Sequence, residues 1–89
     1  MHRSEILKFA DGLINGDRQD HYGPPEDSFK RIGDLWAAYL EHEVVITPVD
    51  AANMMALMKI ARLANGPHLD SYVDACGYLA LAGEMGTDG

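Results

Sequence analysis

Two aspartates, Asp70 and Asp74, stand one helical turn apart at the start of the last predicted helix. Carboxylates at this spacing share one side of a helix. In proteins, Mg²⁺ is held by one or two carboxylates together with substrate phosphates. The pair is therefore a candidate Mg²⁺ site. A structural role also fits, because Ser71-x-x-Asp74 has the pattern of a capping box and Asp70 is itself a candidate cap.

Lys59 and Arg62 supply positive charge on the preceding predicted helix. They are three residues apart, which separates them by about 60° around the helix axis. A guanidinium group holds phosphate oxygens through two parallel hydrogen bonds. We predict that both residues contact the phosphate of a ligand. The alternative is a structural ion pair with Asp70 or Asp74, which an antiparallel arrangement of the two helices would bring close to Arg62.

A third group of polar side chains lies in the predicted loop "NGDRQDHYGPP", residues 15–25. Arg18 and Gln19 suit phosphate oxygens or base edges, and the ring of Tyr22 can stack on a base. We predict that these three residues contact a nucleotide. The alternative is a turn stabilised by its own aspartates and prolines, with Tyr22 covering the core.

Motifs with a defined catalytic mechanism are absent from the sequence. It contains no Walker loop, no metal-binding histidine pair, no nucleophile motif and no glycine fingerprint of a dinucleotide-binding domain. No residue is therefore assigned a catalytic role, and a Rossmann fold is not expected.

Four helices must position these side chains, in a single all-α domain that covers the whole chain, residues 1–89. Apolar residues at helical spacing predict the helices at about 4–15, 25–42, 48–64 and 70–85. The apolar stripe of the second helix is predicted to consist of Phe29, Ile32, Trp36, Tyr39 and Leu40.

Cap and turn residues predict where the helices begin and end. Ser4 is the expected cap of the first helix, and Thr47-Pro48-x-Asp50 has the pattern of a capping box with proline at the first helical position. Asn15-Gly16 and Asn65-Gly66-Pro67 are stop signals. Residues 44–46 are β-branched, but three residues do not make a sheet, so they are predicted as an extended connector.

The third and fourth predicted helices are apolar on nearly every side. The polar residues of the third scatter around its axis: Asp50, Asn53, Lys59 and Arg62. Such a helix belongs in a core or an interface, and two further helices are too few to cover both. We therefore predict a homo-oligomer, most simply a two-fold dimer, built on these two helices. Gly33 and Gly77 are expected to admit close neighbours.

The charge distribution limits the partners. The chain has 14 acidic and 7 basic residues, a net charge of -7 and a pI of about 4.7. A general nucleic-acid or membrane-surface binder has a basic field instead, so neither is expected. The single cysteine, Cys76, rules out a disulfide within the chain and fits a reducing compartment. Because no signal peptide and no apolar run of about 18 residues is found, a cytoplasmic location is expected.

Four blocks of sequence carry a resemblance to a known family: "GDRQDHYG", "RIGDLWAAYL", "VDAANMMALMKIARL" and "DSYVDACGYLALAGE". In this order, over about residues 4–85, they resemble a phage and prophage family of small helical proteins of unknown function. More remotely, the chain resembles nucleotide-modification-associated domains of phages and the MazG-like all-α nucleoside triphosphate pyrophosphatases.

The remote resemblance implies a helical oligomer that holds magnesium with acidic residues on facing helices and releases pyrophosphate from nucleotides. In this chain only Asp70 and Asp74 match such a metal pair. The paired glutamates of the E-x-x-E type are missing from the preceding helix, and Asp27 and Asp34 do not reproduce their spacing.

We therefore expect a phage-type helical protein of the host cytoplasm that binds or acts on nucleotides, with Mg²⁺ as its cofactor if it is a hydrolase. Two alternatives stay open. One is an oligomer that sequesters a nucleotide with the same basic groups and no metal. The other is an interaction module that captures a helix through its Met-rich surface. The sequence does not decide whether the protein is an enzyme.

Overall fold

The computed structural model describes residues 1–17 and 23–87. Over these residues the chain is helical and contains no strand, as the sequence predicts. The four α-helices are α1 (Arg3–Gly12), α2 (Pro25–Tyr39), α3 (Pro48–Arg62) and α4 (Leu69–Gly86). None of these helices is both long enough and apolar enough to cross a membrane.

Helix α1 begins and ends differently from the prediction. Its cap is His2, not Ser4: the His2 ring accepts a hydrogen bond from the Ser4 backbone N–H at 3.1 Å, and the Glu5 carboxylate accepts one from the His2 N–H at 3.4 Å. The predicted stop at Asn15 is also wrong. The backbone continues as a π-helical turn, Leu13–Asp17, and the Asn15 side chain donates a hydrogen bond to Asp11 at 2.6 Å.

Helix α2 ends at Tyr39, three residues before the predicted end. The cause is a left-handed backbone at Glu41 (φ 59°) and His42 (φ 61°). The Glu41 N–H donates to the carbonyl of Ala38 at 3.0 Å, and the His42 N–H donates to that of Ala37 at 2.7 Å. These two bonds form a Schellman motif, which satisfies the last carbonyls of the helix.

The N-terminal cap is predicted correctly for α3 and wrongly for α4. The predicted capping box of α3 is confirmed: Thr47 accepts from the Asp50 N–H at 3.1 Å, and Asp50 accepts from the Thr47 N–H at 3.2 Å. The capping box predicted for Ser71 and Asp74 is wrong, because α4 begins at Leu69 with the extended His68 as its N-cap. Both Asp70 and Asp74 therefore lie inside the helix.

The helices form a row in the order α1, α4, α3, α2. Helices α3 and α4 make the most extensive contact, α2 packs mainly on α3, and α1 packs on α4. Helices α3 and α4 are antiparallel, since Gly86 at the end of α4 lies beside Val49 at the start of α3. The first and second helices of the chain therefore occupy opposite ends of the row.

The core lies where α2, α3 and α4 meet. The buried residues that form its centre are Phe29, Ile46, Ala51, Ala52, Leu81 and Ala82. The ring of Tyr78 meets that of Phe29 edge to face, with centroids 6.0 Å apart. Ile32 and Trp36 pack against this cluster as predicted. Tyr39 and Leu40 do not, because the helix ends there and leaves them 85% and 46% exposed.

As predicted, residues 44–46 form no strand, and the connector between α2 and α3 enters the core through Ile46. Gly33 on α2 lies directly against the backbone carbonyl of Ile46, so that a Cβ atom at residue 33 would overlap it. This glycine therefore lets the connector pass close to α2.

Candidate functional site

Lys59 and Asp74 join α3 to α4 through an ion pair. The Lys59 Nζ lies 3.0 Å from an Asp74 carboxylate oxygen, and the two side chains are only 14% and 31% exposed. Because solvent screens such a pair only partly, its attraction exceeds that of a fully exposed pair. The sequence left two roles open for Lys59, contact with a ligand phosphate and a structural ion pair. The structure shows the ion pair.

Arg62 lies one turn beyond Lys59 and is exposed. The sequence suggested that it pairs with Asp70 or Asp74, but the structure pairs Asp74 with Lys59 instead. Among the described residues, Arg62 has no carboxylate within ion-pair distance. Its guanidinium group therefore remains available to an anion or to another chain.

Asp70 belongs to a different surface, an open groove between α1 and the first turns of α4 with a volume of about 560 Å³. The lining is mostly apolar, with Lys8 and Asp70 as its charged members. The residues that line it are Met1, Lys8, Phe9, Gly12, Leu13, Leu69, Asp70 and Val73. Sequence reasoning missed this groove, because nothing in the spacing of α1 indicates that it packs beside α4.

The two predicted Mg²⁺ ligands have different surroundings. Asp74 is held by the ammonium group of Lys59, which a cation would have to displace, while Asp70 lines the groove beside α1. Over residues 1–17 and 23–87, no group of three histidine, cysteine or acidic side chains that could hold a metal is found. A site of two carboxylates completed by substrate phosphates does not need such a group, so Asp70 and Asp74 as Mg²⁺ ligands stay a prediction.

His68 and Ser71 form a further polar pair at the start of α4. The His68 Nδ1 atom lies 2.8 Å from the Ser71 Oγ atom, and Ser71 is 1% exposed. The ring thus provides the hydrogen bond that this buried hydroxyl requires. His68 is the N-cap of α4, so this pair lies at the first turn of the helix.

A second ion pair, on α2, shows the contrasting exposed case. Lys30 donates to Asp34 at 2.7 Å, one turn away, with both side chains more than 60% exposed. This hydrogen bond, and then the charge of the carboxylate, raise the pKa of Lys30. Water screens the pair, so it contributes little to stability.

The other predicted ligand contacts, Arg18, Gln19 and Tyr22, lie outside the described residues. The π-helical turn Leu13–Asp17 ends directly before them. Their contact with a nucleotide stays a prediction.

Helix α3 buries three alanines and exposes several large apolar residues, while Val49 and Met55 pack against the core. Ala51, Ala52 and Ala56 are at most 1% exposed. On the opposite side lie Met54, Leu57, Met58 and Ala61, which we call the outer α3 stripe. Its three large members are 40%, 61% and 41% exposed. A helix normally turns such residues inward, so their exposure is unusual.

Helix α4 buries Leu81 in the core but also exposes large apolar residues. Tyr72 and Leu79, here the outer α4 stripe, are 46% and 50% exposed. The expectation that Gly77 admits a close neighbour is met within the chain, because a Cβ atom at this position would lie 3.0 Å from the Ile14 side chain.

Comparison with known proteins places the chain in a family. Residues 5–86 match a family described as a domain of unknown function, DUF6378. The chain belongs to this family. The DUF6378 match covers α2, α3, α4 and all but the first two residues of α1. It includes both outer stripes, so these surfaces are parts of the family domain. No solved structure matches the chain.

Two curated relatives of this DUF6378 chain come from mycobacteriophages. The Gene 55 protein of Mycobacterium phage D29 is 49% identical over 74 residues, which is 82% of this chain and 48% of the relative. The Gene 55 protein of Mycobacterium phage L5 is 44% identical over 81 residues, which is 90% of this chain and 51% of the relative. The chain thus spans about half the length of the curated relatives it matches. These relatives agree with the predicted phage family of unknown function.

Proposed function

We propose that this chain is a helical self-assembly module that binds further copies of itself through the outer stripes of α3 and α4 and performs no chemistry of its own. The observation that carries the proposal is the inversion of α3, whose alanines are buried while Met54, Leu57 and Met58 face outward. Contiguous exposed apolar surface of this kind marks interaction sites. Amphipathic helices recognise one another through residues at this spacing.

The exposed area of the chain supports the proposal. Its accessible surface is 6215 Å², whereas a compact monomer of 9.7 kDa exposes about 5,100 Å². The excess of roughly 1,100 Å² is comparable with the ~800 Å² that each partner buries in a standard interface. The radius of gyration, 13.6 Å, likewise exceeds the ~12 Å of a compact domain of this length.

Light scattering of the purified chain tests this proposal. The wild type is expected to exceed the monomer mass of 9.7 kDa, and a variant with both Leu57→Glu and Leu79→Glu is expected to have that mass. Both leucines are exposed, so circular dichroism should show unchanged helix content. A wild type that is monomeric at micromolar concentrations would rule out the proposal.

A second candidate function is the binding of a nucleotide without metal, and the exposed Arg62 favours it. Arg62 is the last residue of α3 and lies one turn from Lys59. Among the described residues it has no acidic partner. Together with Arg18, Gln19 and Tyr22 it would hold phosphate and base. The engagement of Asp74 by Lys59 favours this form over a Mg²⁺-dependent pyrophosphohydrolase.

Calorimetric titration with nucleoside triphosphates and cyclic nucleotides, in Mg²⁺ or in EDTA, distinguishes nucleotide binding without metal from Mg²⁺-dependent hydrolysis. Binding without catalysis predicts an equal affinity in both buffers, a loss of about tenfold or more in Arg62→Ala, and the return of intact ligand. A hydrolase predicts Mg²⁺-dependent release of pyrophosphate that falls in Asp74→Asn while the oligomer persists. If no nucleotide binds in either buffer, both nucleotide functions are excluded.

A further inference from the structure

We infer that the partner of the outer α3 stripe is a second copy of this chain, with the two α3 helices packed antiparallel around a two-fold axis between Leu57 and Met58. This inference rests on the proposed function and names the partner and its geometry. Its first support is the symmetry of the stripe, whose members occupy positions 54, 57, 58 and 61. A two-fold interface uses the same patch on both copies, so the patch must be complementary to itself.

The stripe meets this requirement in one register. Its positions are symmetric about the midpoint between residues 57 and 58, so antiparallel pairing sets Leu57 against Met58 of the second copy. Met54 then faces Ala61 of that copy, a large side chain against a small one. Alternation of large and small residues is what interdigitated helix packing needs. Leu57, the most exposed of the three large members at 61%, lies beside the axis and would be buried most.

The charges at the ends of the stripe agree with the same orientation. Asp50 lies at the start of α3 and Arg62 at its end. Antiparallel pairing offsets Asp50 of each copy by only about 5 Å along the helix axis from Arg62 of the other, so that opposite charges lie at the same end of the pair. A parallel arrangement would place like charges together at both ends.

Substitution of Leu57 tests which surface forms the interface. Leu57→Glu places two carboxylates beside the axis and is expected to halve the mass from 2 × 9.7 = 19.4 kDa to that of the monomer. The matched control is Leu35→Glu on α2, because Leu35 is exposed to a similar degree, 65%, but lies outside the stripe; this variant should remain a dimer. Circular dichroism checks that both variants keep their helix content.

Disulfide cross-linking tests the orientation in a Cys76→Ser background, which removes the native thiol. Leu57→Cys is expected to give a covalent dimer under mild oxidation, since the two introduced thiols lie beside the axis. Met54→Cys on the same stripe should not, because in the antiparallel pair the two positions are about 10 Å apart along the axis. A parallel pair would cross-link at both positions.

Three results would overturn the inference: a wild-type mass unchanged by Leu57→Glu, cross-linking at both cysteine positions, or cross-linking at neither. If the wild type assembles and only Leu79→Glu separates it, the assembly function stands and this interface is wrong. If the wild type is a monomer, the proposed function fails together with the interface.

Discussion

Gly33 shows how one absent side chain determines the packing of two segments. It lies against the Ile46 carbonyl, where the connector to α3 crosses α2. A backbone carbonyl cannot turn away as the end of a flexible side chain can. The position of Ile46, and with it the entry of the connector into the core, therefore depends on this glycine.

At this scale we expect Gly33→Ala to lower the free energy of unfolding by about 2–3 kcal/mol, because the added methyl group overlaps backbone. Chemical denaturation measures the effect. The control is Gly12→Ala on α1, where the added Cβ atom meets no neighbouring element within 4 Å. Because alanine is the better helix former, this substitution should raise the free energy of unfolding by roughly 0.5–1 kcal/mol. Equal effects of the two substitutions would contradict the role given to Gly33.

The elements are delimited by local hydrogen bonds, and the end of α2 is the least usual of them. Its Schellman motif places Glu41 and His42 in the left-handed region, a conformation in which a Cβ atom is unfavourable. Glycine is the common residue at the first of these positions. The chain therefore accepts strain where α2 stops.

Glu41→Gly is expected to raise the free energy of unfolding by about 0.5–1 kcal/mol, since glycine adopts a positive φ without that cost. The comparison variant is Glu43→Gly, two residues away, exposed and outside the left-handed region. Glu43→Gly relieves no backbone strain and should lose a little stability through the added freedom of the unfolded chain. Thermal or urea unfolding of the two variants gives the difference, and a stabilisation of both would argue against strain at Glu41.

Local patterns in the sequence were sufficient to predict the helices but not their contacts. The Thr47–Asp50 box is confirmed because both partners lie within one turn. The rotation of α3 was not predictable, since a helix that is apolar on all sides does not show which side faces inward. For the same reason the sequence did not show that Lys59, and not Arg62, would meet Asp74. The groove beside Asp70 depends on the placement of α1, which no local signal encodes.

For the whole molecule, the large exposed area links folding to assembly. If two copies shield the outer α3 stripes, the folded state gains stability as the protein concentration rises. We expect the Tm of the wild type to increase by about 4 °C for each tenfold increase in concentration. Leu57→Glu should show no such dependence in calorimetric scans. A wild-type Tm that is independent of concentration would mean that the chain folds without a partner.

The arrangement of the four helices in a row also has a kinetic consequence. Helix α1 packs on α4 and α2 packs mainly on α3, so that each lies at a margin of the more extensive contact between α3 and α4. Openings of the native structure should therefore begin at the margins and reach the central hairpin last. The backbone amides of α1 would exchange with solvent deuterium well before those of α3 and α4, and the surface proposed for pairing would remain intact while the margins fray.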